Sequence, residues 1–135
     1  MPARSLIERY FGAFAAGDAA AATALFASTG LYEFPLLRPR LVGRAEILAG
    51  HRQAFSVASR IAVSLRVVQS NGATAIVEGH LEAHVARDGR DVALPFAAVA
   101  EESGGALQRL SIYGDAHPYR LWCDGPVMAI GERSR

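Results

Sequence analysis

Apolar residues near the start of the chain recur at helical spacing, and in its second half at strand spacing. Leu6, Ile7, Tyr10, Phe11 and Phe14 share one stripe of a 3.6-residue period, predicting a first helix that Gly17 ends. Ser5 and Glu8 have the S-x-x-E spacing of a capping box and place the helix start there. Asp18 is placed to cap a second helix, Ala19 to Ala27, built almost wholly of alanine. Leu31 to Pro35 then predicts a short strand, and Leu36 to Leu41 a loop rich in Pro and Arg. Gly43-Arg44-Ala45-Glu46 opens a third helix to about Phe55, with Ile47, Leu48, His51 and Phe55 along one face.

Beyond Phe55 the period becomes two. Ile61, Val63, Leu65 and Val67 alternate with smaller or polar residues up to Ser70-Asn71-Gly72, a hairpin signal. Thr74 to Ala86 is a long alternating strand, turned by Asp88-Gly89 into Val92 to Ala100. Ser103-Gly104-Gly105 turns again into Leu107 to Asp115, which His117-Pro118 stops. Helices gathered ahead of an antiparallel meander predict an α+β domain, with three N-terminal helices packed on a strongly curved, mainly antiparallel sheet. Residues 1–135 read as one domain, with 119–135 as a C-terminal tail.

Composition narrows the chemistry. The 135 residues are 51% hydrophobic and 20% charged, enough apolar side chain for a real core. Formal net charge is only +1, so no strong field gathers nucleic acid or anionic lipid. All 14 basic residues are arginine, which excludes Schiff-base chemistry, a P-loop lysine and a lysine base. Cys123 is the single cysteine, so neither an internal disulfide nor a cysteine-rich zinc site is available. No apolar run is long enough to span a membrane, and Glu8 and Arg9 interrupt the place of a signal-peptide core. A cytoplasmic protein without cofactor or metal is expected.

Tyr10 and His51 lie on the apolar stripes of their helices, so spacing alone buries both. A buried phenol and imidazole each need a partner, and each satisfies the other. The pair reads either as a proton-handling site or as a hydrogen bond tying the first helix to the third. On the long strand, His80-Leu81-Glu82-Ala83-His84 superficially suggests a metal pair, but the helical zinc motif puts glutamate directly after the first histidine. Alternation sends Glu78, His80, Glu82 and His84 to the outer face, to be paired across strands, and Leu81 inward. It likewise sends Glu33 outward between Tyr32 and Phe34. In the last strand Arg109, Ser111, Tyr113 and Asp115 share one face, opposite Leu110, Ile112 and Gly114. Asp115 is then either a turn cap at 116–118 or, if the strand bends, an acid for the site. Arg38 and Arg40 sit in a loop able to close a pocket mouth; Trp122 covers the pocket or an interface; Cys123 reads as inert.

Ile7-Glu8-Arg9-Tyr10-Phe11, Gly17-Asp18, Tyr32-Glu33-Phe34-Pro35 and Val42-Gly43-Arg44-Ala45-Glu46-Ile47, in this order, resemble the NTF2-like superfamily, nearest its SnoaL-like and ketosteroid-isomerase-like branch. The resemblance covers roughly residues 5–118. It implies a cone of bent sheet around helices with an apolar pocket between, and a homodimer through the outer sheet face. Tyr10 matches the isomerase tyrosine that binds the developing oxyanion, and His51 stands where a second tyrosine bonds to it. The isomerase's proton-moving aspartate falls at Phe34, and its protonated acid at Ala97 or Ala98. The acid that cyclases and epoxide hydrolases carry on the last strand falls at Ile112 or Ser111. With these acids missing, a steroid-isomerase mechanism is not expected.

Two functions follow as expectations. The first is a cofactor-independent isomerase, cyclase, dehydratase or epoxide hydrolase acting on a small apolar cyclic molecule. Tyr10 then stabilises oxyanion charge, His51 is base or relay, Asp115 is the reserve acid, and Phe14, Tyr32, Phe34, Phe55, Leu81, Phe96 and Ile112 shape the cavity. The alternative is a non-catalytic small-molecule binder or scaffold of the same fold. A module binding other proteins through its outer sheet is a third possibility.

Overall fold

A computed structural model of the chain describes residues 1–36, 40–86 and 89–115. Arg38, His117-Pro118, Trp122, Cys123 and the expected tail 119–135 lie outside these residues. Three helices, α1 (Ala3–Ala15), α2 (Ala19–Ala24) and α3 (Arg44–Val57), accompany strands β1 (Phe26–Glu33), β2 (Arg40–Val42), β3 (Ala58–Ser70), β4 (Thr74–Val85), β5 (Arg90–Ser103) and β6 (Ala106–Gly114). The strands form one sheet in the order β2-β1-β6-β5-β4-β3, bent around the helices on one face. All pairings are antiparallel except β1 with β6. The α+β expectation holds.

Three local expectations are corrected. Helix α1 starts at Ala3, not at Ser5, and no side chain caps it. Its first N–H instead donates to the Gly72 carbonyl at 2.7 Å, so the β3–β4 turn does the capping. Ser5 and Glu8 are therefore inside the helix, where Glu8 pairs with Arg4 at 3.4 Å. Helix α2 keeps Asp18 as its cap, with Oδ1 accepting from Ala21 N at 2.9 Å, but it stops at Ala24. The next residues leave the helix for the sheet: the Leu25 carbonyl accepts from Leu107 N at 2.8 Å, and Phe26 begins β1. Within the expected 36–41 loop, Arg40 starts strand β2.

Turn chemistry behaves as the sequence predicts. Gly104 and Gly105 have φ of 63° and 85° and close the two-residue β5–β6 hairpin, where two left-handed residues match the strand twist. Asn71 Oδ1 accepts from Thr74 N at 2.9 Å in the β3–β4 turn, with Gly72 at φ 91°. Alternation also holds on β4 and β5: Val77, Leu81, Ala83, Val85, Val92, Leu94, Phe96 and Ala98 are buried beneath the helices. Gly79 faces Phe96 across the ladder, and a Cβ there would stand 2.3 Å from the ring. That missing side chain lets the Phe96 ring lie over the strand and meet Phe11 at a centroid distance of 5.0 Å.

Candidate functional site

Helices α1 and α3 bring Tyr10 and His51 together inside the fold. Tyr10 Oη lies 2.6 Å from His51 Nε2, with the two side chains 41 residues apart in sequence. They are 0% and 2% exposed, as stripe positions should be. The other imidazole nitrogen, Nδ1, lies 2.8 Å from the Ile47 carbonyl one helical turn back. A carbonyl only accepts, so Nδ1 carries a proton. Burial lowers the His51 pKa from its ordinary value, and the Ile47 bond opposes that only in part, which keeps the ring neutral near pH 7. In a neutral ring protonated at Nδ1, Nε2 holds a lone pair, and Tyr10 is the donor of the 2.6 Å bond.

Aromatic rings wall this pair. Around His51 stand Tyr32, Phe55 and Phe14, with centroids at 4.7, 5.8 and 6.1 Å. Around Tyr10 stand Phe11 at 5.0 Å and Phe26 and Tyr32 at 5.9 Å. Phe34 joins through Tyr32 at 5.4 Å, and Phe96 through Phe11. Of the cavity residues expected from sequence, Phe14, Tyr32, Phe34, Phe55 and Phe96 thus belong to one ring cluster with the pair. Leu81 and Ile112, 4% and 5% exposed, lie in the buried core on the sheet. Ala98, one of the two positions assigned to the isomerase acid, is buried, and Ala97 is half-buried on the opposite face of β5. Asp115 is exposed just past the end of β6. The turn it was expected to cap lies outside the described residues.

Sequence reasoning left two wall residues out of the cavity: Phe11, placed only on the α1 stripe, and Phe26. The alanine-rich run before Phe26 reads as continuing helix, whereas the parallel partner β6 draws it into a strand. The Ile47 carbonyl was legible in principle, because residues i and i−4 face each other on a helix.

The outer face of the sheet is polar and internally paired. Glu78 pairs with Arg66 across β3–β4, and His84 Nδ1 meets Asp91 Oδ1 at 2.9 Å across β4–β5, as alternation predicts. His80 lies 3.8 Å from Glu82 along its own strand. Among the described residues, no three His, Cys, Asp or Glu side chains cluster closely enough to hold a metal ion. Ser111 keeps the face that alternation assigns it, yet it is 0% exposed. It accepts from Arg109 and donates to Glu33 Oε2 at 2.6 Å, and these two cover it. Arg109 also grips Glu101 in a bidentate pair at 2.9 and 3.0 Å. That pairing holds the Glu101 carboxyl below its ordinary pKa and raises that of Arg109.

Comparison with known proteins agrees with this architecture. Residues 7–109 match the family model of the SnoaL-like domain. A protein of ketosteroid-isomerase-like fold from Catenulispora acidiphila, solved with trimethylamine, superposes with a TM-score of 0.77 at 16% identity, covering 91% of this chain and 95% of that one. A candidate isomerase from Bacillus subtilis gives 0.79 at 20% identity over 92% and 94%. A candidate polyketide cyclase from Pseudomonas putida gives 0.78 at 22% identity over 91% and 98%. Identities this low establish likeness of fold alone. No curated protein matches the chain.

Proposed function

The chain belongs to the SnoaL-like domain family, and from that membership we propose that it is a cofactor-independent enzyme moving a proton on a small, mainly apolar, cyclic molecule. One observation carries the proposal: a phenol and a neutral imidazole share a 2.6 Å hydrogen bond within a wall of aromatic rings. His51 is the group that takes up and returns the proton, and Tyr10 stands between it and the ligand. Phe14, Tyr32, Phe34 and Phe55 exclude water, and a dry site strengthens each hydrogen bond made in it. Isomerisation, cyclisation, dehydration and epoxide opening all fit such a relay. Because Tyr10 and His51 are 0% and 2% exposed, ligand entry in this proposal requires a movement of the groups that cover them.

A non-catalytic binder of the same fold is the second reading. Phe34 and the buried Ala98 favour it, since neither provides the carboxylate that isomerase chemistry uses. Turnover of small cyclic alcohols, epoxides and enones, followed by NMR, separates the two. The enzyme reading expects turnover that falls about 100-fold or more in His51→Phe, the usual contribution of a positioned acid–base group. Ligand that binds wild-type protein without turning over decides for the binder. Asp115 is the proposal's reserve acid, so Asp115→Asn slows turnover if it acts; an unchanged rate removes it from the scheme. A homodimer through the outer sheet face completes the proposal.

A further inference from the structure

The Tyr10–His51 hydrogen bond has a direction, and that direction limits what a ligand can offer. His51 Nδ1 is 2.8 Å from the Ile47 carbonyl, which has no proton to give, so the ring proton sits there. Nε2 then has only its lone pair, and the Tyr10 proton points along the 2.6 Å bond toward it. What Tyr10 Oη turns to any other neighbour is its lone pairs. An oxyanion-binding tyrosine needs the reverse arrangement, with its own proton aimed at the ligand.

We infer that the ligand meets Tyr10 through a hydrogen-bond donor, a hydroxyl or a protonated amine on an apolar ring, and not through a carbonyl oxygen or a carboxylate. This inference rests on the proposed function, which places the ligand at the pair, and it narrows the chemistry to substrates bearing such a donor. Surrounding rings suit both forms: they bury an alicyclic body, and their faces attract an ammonium group. For a hydroxyl the proton balance is simple. The ligand O–H bond breaks and its proton bonds to Tyr10 Oη, while the phenol proton bonds to His51 Nε2. The products are an alkoxide and an imidazolium, with no oxidant or reductant involved. The alkoxide reclaims a proton when the relay runs back.

The test has two arms on the full chain. Long-range 15N–1H NMR of wild-type protein at pH 7.5 reads which His51 nitrogen is protonated; Nδ1–H is expected. Titrations with cyclohexanol, cyclohexylammonium and cyclohexanone, followed at the Tyr10 and His51 resonances, rank the ligand classes. The alcohol and the ammonium should bind about tenfold more tightly than the ketone, a difference of about 1.4 kcal/mol. Tyr10→Phe should remove that preference; if the variant does not fold, the wild-type ranking still decides. A proton found on Nε2, or a ketone that binds as tightly as the alcohol, overturns the inference and leaves the relay standing. Failure of all three compounds to perturb either residue overturns the inference together with the proposed site.

Discussion

With 2.6 Å between Tyr10 Oη and His51 Nε2, and neither side chain open to solvent, removing the phenol takes the donor away from a buried His51 Nε2. Tyr10→Phe is expected to lower stability by about 1–3 kcal/mol, the cost of leaving a buried acceptor unpaired. The double variant Tyr10→Phe/His51→Phe should cost less than the two single changes summed, because the shared bond is lost only once. Urea unfolding of the three variants measures both, and strict additivity would refute the coupling. Protonation gives a second handle on the same residue. Burial depresses the His51 pKa in the folded chain, so between that value and its ordinary 6.5 the unfolded chain binds more proton. Stability is therefore full above pH 6.5 and falls as acid is added through that window. His51→Phe should flatten this part of the pH–stability curve; an unchanged curve assigns the acid sensitivity elsewhere.

Between elements, a few residues set how strands and helices fit. Gly79 of β4 is one, since a methyl group there would enter the Phe96 ring, which also packs on Phe11. Gly79→Ala should cost about 1–3 kcal/mol, as overpacking of a filled core does, and should shift the Phe11 and Phe96 aromatic resonances. A substitution that leaves both unmoved would show that the ring has room to spare. Ser111 is another, because its hydroxyl joins β6 to Glu33 of β1 while accepting a hydrogen bond from Arg109. Ser111→Ala removes the donor for a half-buried carboxylate, with an expected loss of about 1–3 kcal/mol in thermal or urea unfolding. Alternation along β6 put Ser111 outside, and it does lie on that face. What alternation lacked was the neighbour: Glu33 is 78 residues away, and only the parallel β1–β6 pairing brings it over the serine. Helix α1 teaches the same lesson, as its N-terminus is capped by the turn at Gly72 and not by the Ser5–Glu8 pattern nearby.

On the scale of the whole molecule, the six-stranded sheet leaves β2 and β3 at its edges, and no helix among the described residues is long and apolar enough to cross a membrane. The proposed homodimer is checked by sedimentation: a species of twice the chain mass is expected at micromolar concentration, and a monomer at all concentrations would end that part of the proposal. Periodicity alone was enough to specify three helices, the hairpins at Gly72 and Gly104-Gly105, the inward face of β4 and β5, and the burial of Tyr10 and His51. Those features depend on contacts near in sequence, on backbone sterics at glycine, and on which side of an element is apolar. The β1–β6 pairing, the place of Phe26 in the aromatic wall and the covering of Ser111 were decided only by tertiary structure. Each depends on which distant chemical groups come within hydrogen-bonding reach, and period and propensity carry no record of that. Spacing placed two polar rings in the interior; the Ile47 carbonyl, by claiming one imidazole nitrogen, determined which of the two gives the proton.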